Sequence, residues 1–113
     1  MSSEKEKKLF STGWIVAIYS DSDPTDSVYV DATQRHPDKL FKYWRKQFVE
    51  FNQDSTRVKY SPIFELMLSN NDIETEILKK YTDLSPKKKL AKKELKEFQL
   101  YWKGLMLDNA ILI

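Results

Sequence analysis

Apolar positions along this chain fall into two periods. From Trp14 to Tyr19 they run unbroken, Trp-Ile-Val-Ala-Ile-Tyr, and the β-branched and aromatic content predicts a buried strand. Asp23-Pro24-Thr25-Asp26 supplies turn chemistry, with proline presetting the backbone and aspartate able to bond nearby amides. Ser27–Asp31 returns as a second, antiparallel strand, which gives a hairpin. The period then changes. Leu40, Phe41, Trp44, Phe48 and Phe51 recur at three- and four-residue spacing, so a helix opened by His36-Pro37-Asp38 buries one stripe. Proline costs nothing in a first turn, and Asp38 complements the positive end of the helix dipole. Ser61-Pro62 opens a shorter helix with Ile63, Leu66 and Met67 inward, ended by Asn70-Asn71-Asp72. Ile73-Glu-Thr-Glu-Ile77 alternates and predicts a half-buried third strand. Ser85-Pro86 starts a long last helix whose expected core stripe is Leu90, Ala91, Leu95, Phe98, Tyr101, Trp102 and Leu105, with Gly104 as a C-terminal stop. Ala110–Ile113 is an apolar end able to dock as an extra strand.

The predicted order is therefore β-β-α-α-β-α. It implies a small single α+β domain with a three-stranded antiparallel sheet flanked by helices. The length of 113 residues fits one domain, expected over 13–113 behind a charged N-terminal arm, 1–12. An apolar fraction of 41% marks a globular chain, and no apolar run is long enough to span a bilayer. The absence of cysteine excludes disulfides and thiolate metal sites and fits a reducing, intracellular compartment.

Net charge is only +2, and its distribution says more. Lys87, Lys88, Lys89, Lys92, Lys93 and Lys96 crowd the start of the last helix, and Lys39, Lys42, Arg45 and Lys46 the first. Such runs form either a solvated helix face or a nucleic-acid contact. Familiar catalytic devices are missing. Two glycines build no phosphate-cradling loop, and the single histidine, His36, builds no multi-histidine metal site and reads as a cap or surface residue. Asp21, Asp23 and Asp26 offer either a Ca²⁺ loop or a plain hairpin turn, and they lack the glycine and distal glutamate of an EF-hand.

Tyr19, Tyr29, Lys39, Tyr43, Glu97 and Asn109 remain. On these residues the chain resembles the GIY-YIG nuclease family. Ala17-Ile18-Tyr19 stands where the family has Gly-Ile-Tyr, and Tyr29-Val30-Asp31 where it has Tyr-Ile-Gly. Lys39 occupies the place of a family arginine, and Tyr43 that of a histidine or tyrosine one turn on. Glu97-Phe-Gln-Leu-Tyr101 is similar to the segment holding the family's metal ligand, and Asn109 follows as the family's asparagine does. The spacing of the first half is closest to the nuclease domain of the bacterial excision-repair incision subunit.

The resemblance implies a metal-dependent endonuclease hydrolysing DNA. Tyr19 would be the general base, with Tyr29 in its network. Glu97 would hold one Mg²⁺ or Mn²⁺. Lys39 and Tyr43 would bind the phosphate, and Asn109 would fix the helix end or touch substrate. A separate protein partner would supply specificity. Asp31 for glycine brings a carboxylate near the phosphate, and Lys39 for arginine loses the two-pronged donor. These departures motivate an alternative: a catalytically degenerate module that binds nucleic acid or a protein without cleavage. Each residue also has a plain structural reading. The tyrosines can be core aromatics, Glu97 can pair with Lys93 one turn back, and Asn109 can be a turn residue.

Overall fold

The computed structural model describes residues 11–69, 72–105 and 110–113. In chain order it has β1 (Ser11–Ser20), β2 (Val28–Thr33), α1 (Pro37–Gln53), α2 (Ile63–Ser69), β3 (Ile73–Leu84), α3 (Lys88–Leu105) and β4 (Ala110–Leu112). The strands form one sheet in the order β3-β1-β2-β4. β1 pairs antiparallel with both β2 and β3, and β4 pairs parallel with β2. The sheet is thus four-stranded and mixed, not three-stranded and antiparallel. The difference lies in the apolar end, which adds as a strand because Ala110–Leu112 can bury its side chains while satisfying the open edge of Val28–Val30. No helix among the described residues is long and apolar enough to cross a membrane.

Each face of the sheet has its own core. Trp14, Val16, Ile18 and Tyr29 project from one face and pack under Leu40 of α1 and Ile63, Phe64 and Leu66 of α2. Ile15, Val30 and Leu84 project from the other and pack under Ala91 and Leu95 of α3. This explains why Trp14–Tyr19 carries no polar alternation: β1 is central and covered on both sides. Side chains such as Ile15, Val16 and Ile18 are fully buried, each stabilising by roughly 1.5–3 kcal/mol. Gly13 lets α3 sit close, since a Cβ there would come within 2.6 Å of Leu95 Cδ2 and 2.7 Å of Leu84 Cδ1.

Several expected details shift. β1 as described begins at Ser11, ahead of the strand expected from Trp14. β3 runs on to Leu84 and carries irregularities. Ile15 pairs with Lys79 and Val16 with Ile77, so Leu78 is an extra residue that turns into the α3-side core. Ile73 packs as expected, but Ile77 lies on an edge strand that no helix covers there and is 52% exposed. On α3, Leu90, Tyr101 and Leu105 are exposed, because the helix docks through a narrower stripe of Ala91, Leu95, Phe98, Gln99 and Trp102. Gly104 lies within α3 instead of ending it. Asn70 and Asn71, expected to end α2, lie outside the described residues.

Candidate functional site

The hairpin register decides the fate of the two tyrosines. Ile18 pairs with Tyr29, so Tyr29 shares the face of Ile18, and Tyr19, one residue on, projects from the opposite face. Tyr29 is buried in the α1/α2 core, and burial, then the charges of Asp23 and Glu65, raises its phenol above the usual value. Tyr19 stands beside its cross-strand partner Glu74 and donates to it. Its phenol is raised by desolvation first, then by Glu74, Glu76 and Asp21. A raised phenol pKa is the reverse of what a general base needs near neutrality.

The other expected site residues are equally scattered. Lys39 is exposed in the first turn of α1, beside the buried Leu40. Glu97 is exposed on α3. It lies roughly 200° around the helix from Leu95, on the side turned away from the sheet and from both phenols. Asn109 lies outside the described residues. Among the described residues no group of three His, Asp or Glu side chains is placed to hold a metal ion. Glu97, the residue that the resemblance implies for Mg²⁺ or Mn²⁺, stands on an outer helix face with no such group around it among the described residues. The acidic turn is a self-satisfied hairpin loop: Asp23 accepts from the Thr25 amide at 3.1 Å and the Thr25 hydroxyl at 2.8 Å. Asp26 takes the positive φ of 54° that the turn needs.

His36 is the N-cap of α1, its Nδ1 accepting from the Asp38 amide at 3.1 Å. Asp31, the residue in place of the second motif's glycine, has an ordinary strand backbone without positive φ. Its side chain is the unusual feature. It is buried on the α1 side, where Trp44 Nε1–H donates to Oδ2 at 2.7 Å. Burial pushes the carboxyl up to about 6, against the opposing pull of the Trp44 and Ala32 donors.

Tyr43 and Asp31 meet in a cleft of about 400 Å³ that Tyr19, Tyr29, Lys39 and Glu97 do not line. The cleft lies beside Asp31, Ala32 and Thr33 of β2, just past the described β2–β4 pairs, Val28–Ala110 to Val30–Leu112. One wall is α1, with Tyr43 and Trp44 in edge-to-face contact at 5.2 Å. Arg35 closes over Tyr43, its guanidinium carbon 4.1 Å from the ring centre. The other wall is α3, where Lys88, Lys92 and Lys96 recur every fourth residue and so share one side of the helix. Lys88 is in the first turn of α3, which carries no acidic residue, so the lysines add to the positive end of the helix dipole. Between the walls, Gln99 is buried and donates to Val30 O at 2.6 Å and Ile113 O at 3.0 Å, tying α3 to the last paired step of β2.

Arg35 and Gln99 carry no sequence signal for a site. The first sits in an unpatterned loop, and the second is a polar residue at a position where the period asks for an apolar one. The lysine run was visible as charge, but which lysines share a wall depends on the helix being docked. No protein-family model, no curated protein and no solved structure matches the chain.

Proposed function

We propose that this chain is a catalytically degenerate GIY-YIG-like module that binds single-stranded DNA without cleaving it. The observation that carries the reading is the cleft itself: a row of three lysines faces an arginine stacked on a tyrosine. Cationic grooves lined with aromatic or guanidinium planes are what single strands require, phosphates on the cations and bases on the flat groups. The cleft is too small for a duplex and large enough for a base with its sugar and phosphate. Lys88 to Lys96 spans about 12 Å along the helix, roughly two phosphodiester steps of an extended strand.

Hydrolysis by the family's chemistry would need Tyr19, Tyr29 and Glu97 around one void, and these three face different directions. The reading is tested by fluorescence anisotropy with labelled single strands and duplexes at low salt. Binding is expected for single strands, weakening with salt as counterions are released. The double charge reversal Lys92→Glu/Lys96→Glu is expected to abolish it. Absence of any binding by the folded protein would sink the reading and leave a protein partner as the alternative. Metal-dependent cutting that disappears in both Tyr19→Phe and Glu97→Ala would restore the endonuclease.

A further inference from the structure

The floor of the cleft differs in character from its rim. Val30 O accepts from the Ile113 amide at 3.1 Å, so the backbone groups of Val30 face the β4 edge. Backbone groups of alternate residues face the same edge, and Ala32 therefore turns its N–H and C=O toward the side of β2 on which β4 pairs. The Asp31 carboxylate accepts from the Ala32 amide and from the Trp44 indole. A carboxylate accepts about four hydrogens, so acceptor capacity remains. The floor thus offers the Asp31 carboxylate as an acceptor below a cationic rim and beside a stacking surface on Arg35 and Tyr43.

We infer that the cleft selects guanine within a single strand, Asp31 accepting from the base's Watson–Crick edge. The inference rests on the reading of this cleft as a nucleic-acid site. The chemistry discriminates among bases. Guanine presents two adjacent donors, N1–H and the 2-amino group, which match the two oxygens of a carboxylate. Adenine and cytosine each set a ring-nitrogen acceptor beside their amino group, which a carboxylate repels. Thymine flanks its one ring N–H with two carbonyls. Arg35 presents its outer plane to the base, and the lysine row takes the phosphates on either side. Because that row is longer than one nucleotide, a strand is the expected ligand and a free mononucleotide a weak one.

The test uses short labelled oligothymidines carrying one central guanine, hypoxanthine, adenine or cytosine. The guanine probe is expected to bind about tenfold more tightly than the others, hypoxanthine falling behind because it lacks the 2-amino group. Asp31→Asn, which keeps an acceptor for the indole, is expected to reduce the preference to within about twofold. Lys92→Glu is expected to weaken every probe alike. The comparison of guanine with hypoxanthine needs no variant, so it stands even if a substitution unfolds the chain. Equal binding of all four probes, still dependent on Lys92, overturns the guanine inference and leaves the DNA-binding reading intact. Failure of every probe to bind overturns both. Competition by free guanosine monophosphate as effective as by the guanine oligonucleotide would overturn the part that needs a strand.

Discussion

Replacing Asp31 with asparagine should stabilise the protein at neutral and alkaline pH and do nothing comparable in acid. The folded chain holds the Asp31 proton up to about pH 6, against an ordinary value of 3.8. Between those two values the native state binds more protons than the unfolded state, so stability falls as pH rises. The loss is complete once the pH has risen through the folded-state value, about a unit above 6. Each pH unit of the gap is worth about 1.4 kcal/mol, so ionised Asp31 lowers stability by about 3 kcal/mol relative to its neutral form. Asparagine is neutral throughout and keeps an oxygen for the Trp44 indole. It loses one acceptor toward the Ala32 amide, at a cost of about 1 kcal/mol. The net expectation is a gain of about 2 kcal/mol at pH 8 and a loss of about 1 kcal/mol below pH 4. For a chain of 113 residues the gain at pH 8 is a rise of about 8 °C in Tm. The assay is urea unfolding of both proteins across pH 4–8, read as the difference between them so that other titrating groups cancel. Parallel curves, or a variant that loses ground as pH rises, would refute the account of Asp31 as a buried carboxylate held against its solvation.

The two glycines should respond in opposite directions to alanine. Gly13→Ala forces a methyl against the buried ends of Leu95 and Leu84 and should cost about 1–3 kcal/mol, whereas Gly104→Ala meets nothing within 4 Å and should gain up to about 1 kcal/mol, both measured by thermal unfolding. If the lysine row engages three phosphates, the slope of log K against log salt should be about −2, and a variant lacking Lys92 and Lys96 should fall to about −0.7. Tyr19→Phe and Glu97→Ala should leave single-strand affinity within about twofold, and a tenfold loss in either would place the ligand on the wrong part of the surface. Gln99→Leu should free Val30 O and Ile113 O of their shared donor and cost about 1–3 kcal/mol, with faster hydrogen exchange at the Ile113 amide than at Val16.

Much of the fold was legible because local chemistry and period agreed. The Trp14–Tyr19 run, the Asp-Pro turn and the returning Val28-Tyr29-Val30 name a hairpin by themselves, and His36-Pro37-Asp38 names a helix start, with the structure adding that His36 Nδ1 is the cap. The apolar stripes fixed which face of α1 would be inward. Where burial departs from the apolar pattern, the deciding quantity is not local. Leu90, Tyr101 and Leu105 fit the α3 stripe, yet a helix brought close by Gly13 and Ala91 buries a narrower strip than its apolar residues could fill. Ile77 alternates correctly, but an extra residue at Leu78 and an uncovered sheet edge leave it in solvent.

The candidate site divides in the same way. The residue types were determined by the sequence: tyrosines near the hairpin, lysines at the head of the last helix, an aspartate where a strand would favour an apolar group. Their grouping was not. Whether Tyr19 and Tyr29 share a face depends on which residues pair across the hairpin, and a shift of one position moves a side chain to the other side of the sheet. Whether Lys92 or Glu97 looks into the cleft depends on the rotation at which α3 docks. Composition and period determined the elements and their inward stripes, since those follow from burial of apolar surface. Only the tertiary structure decided which polar side chains meet, because strand register and helix rotation are set by packing between elements distant in the chain.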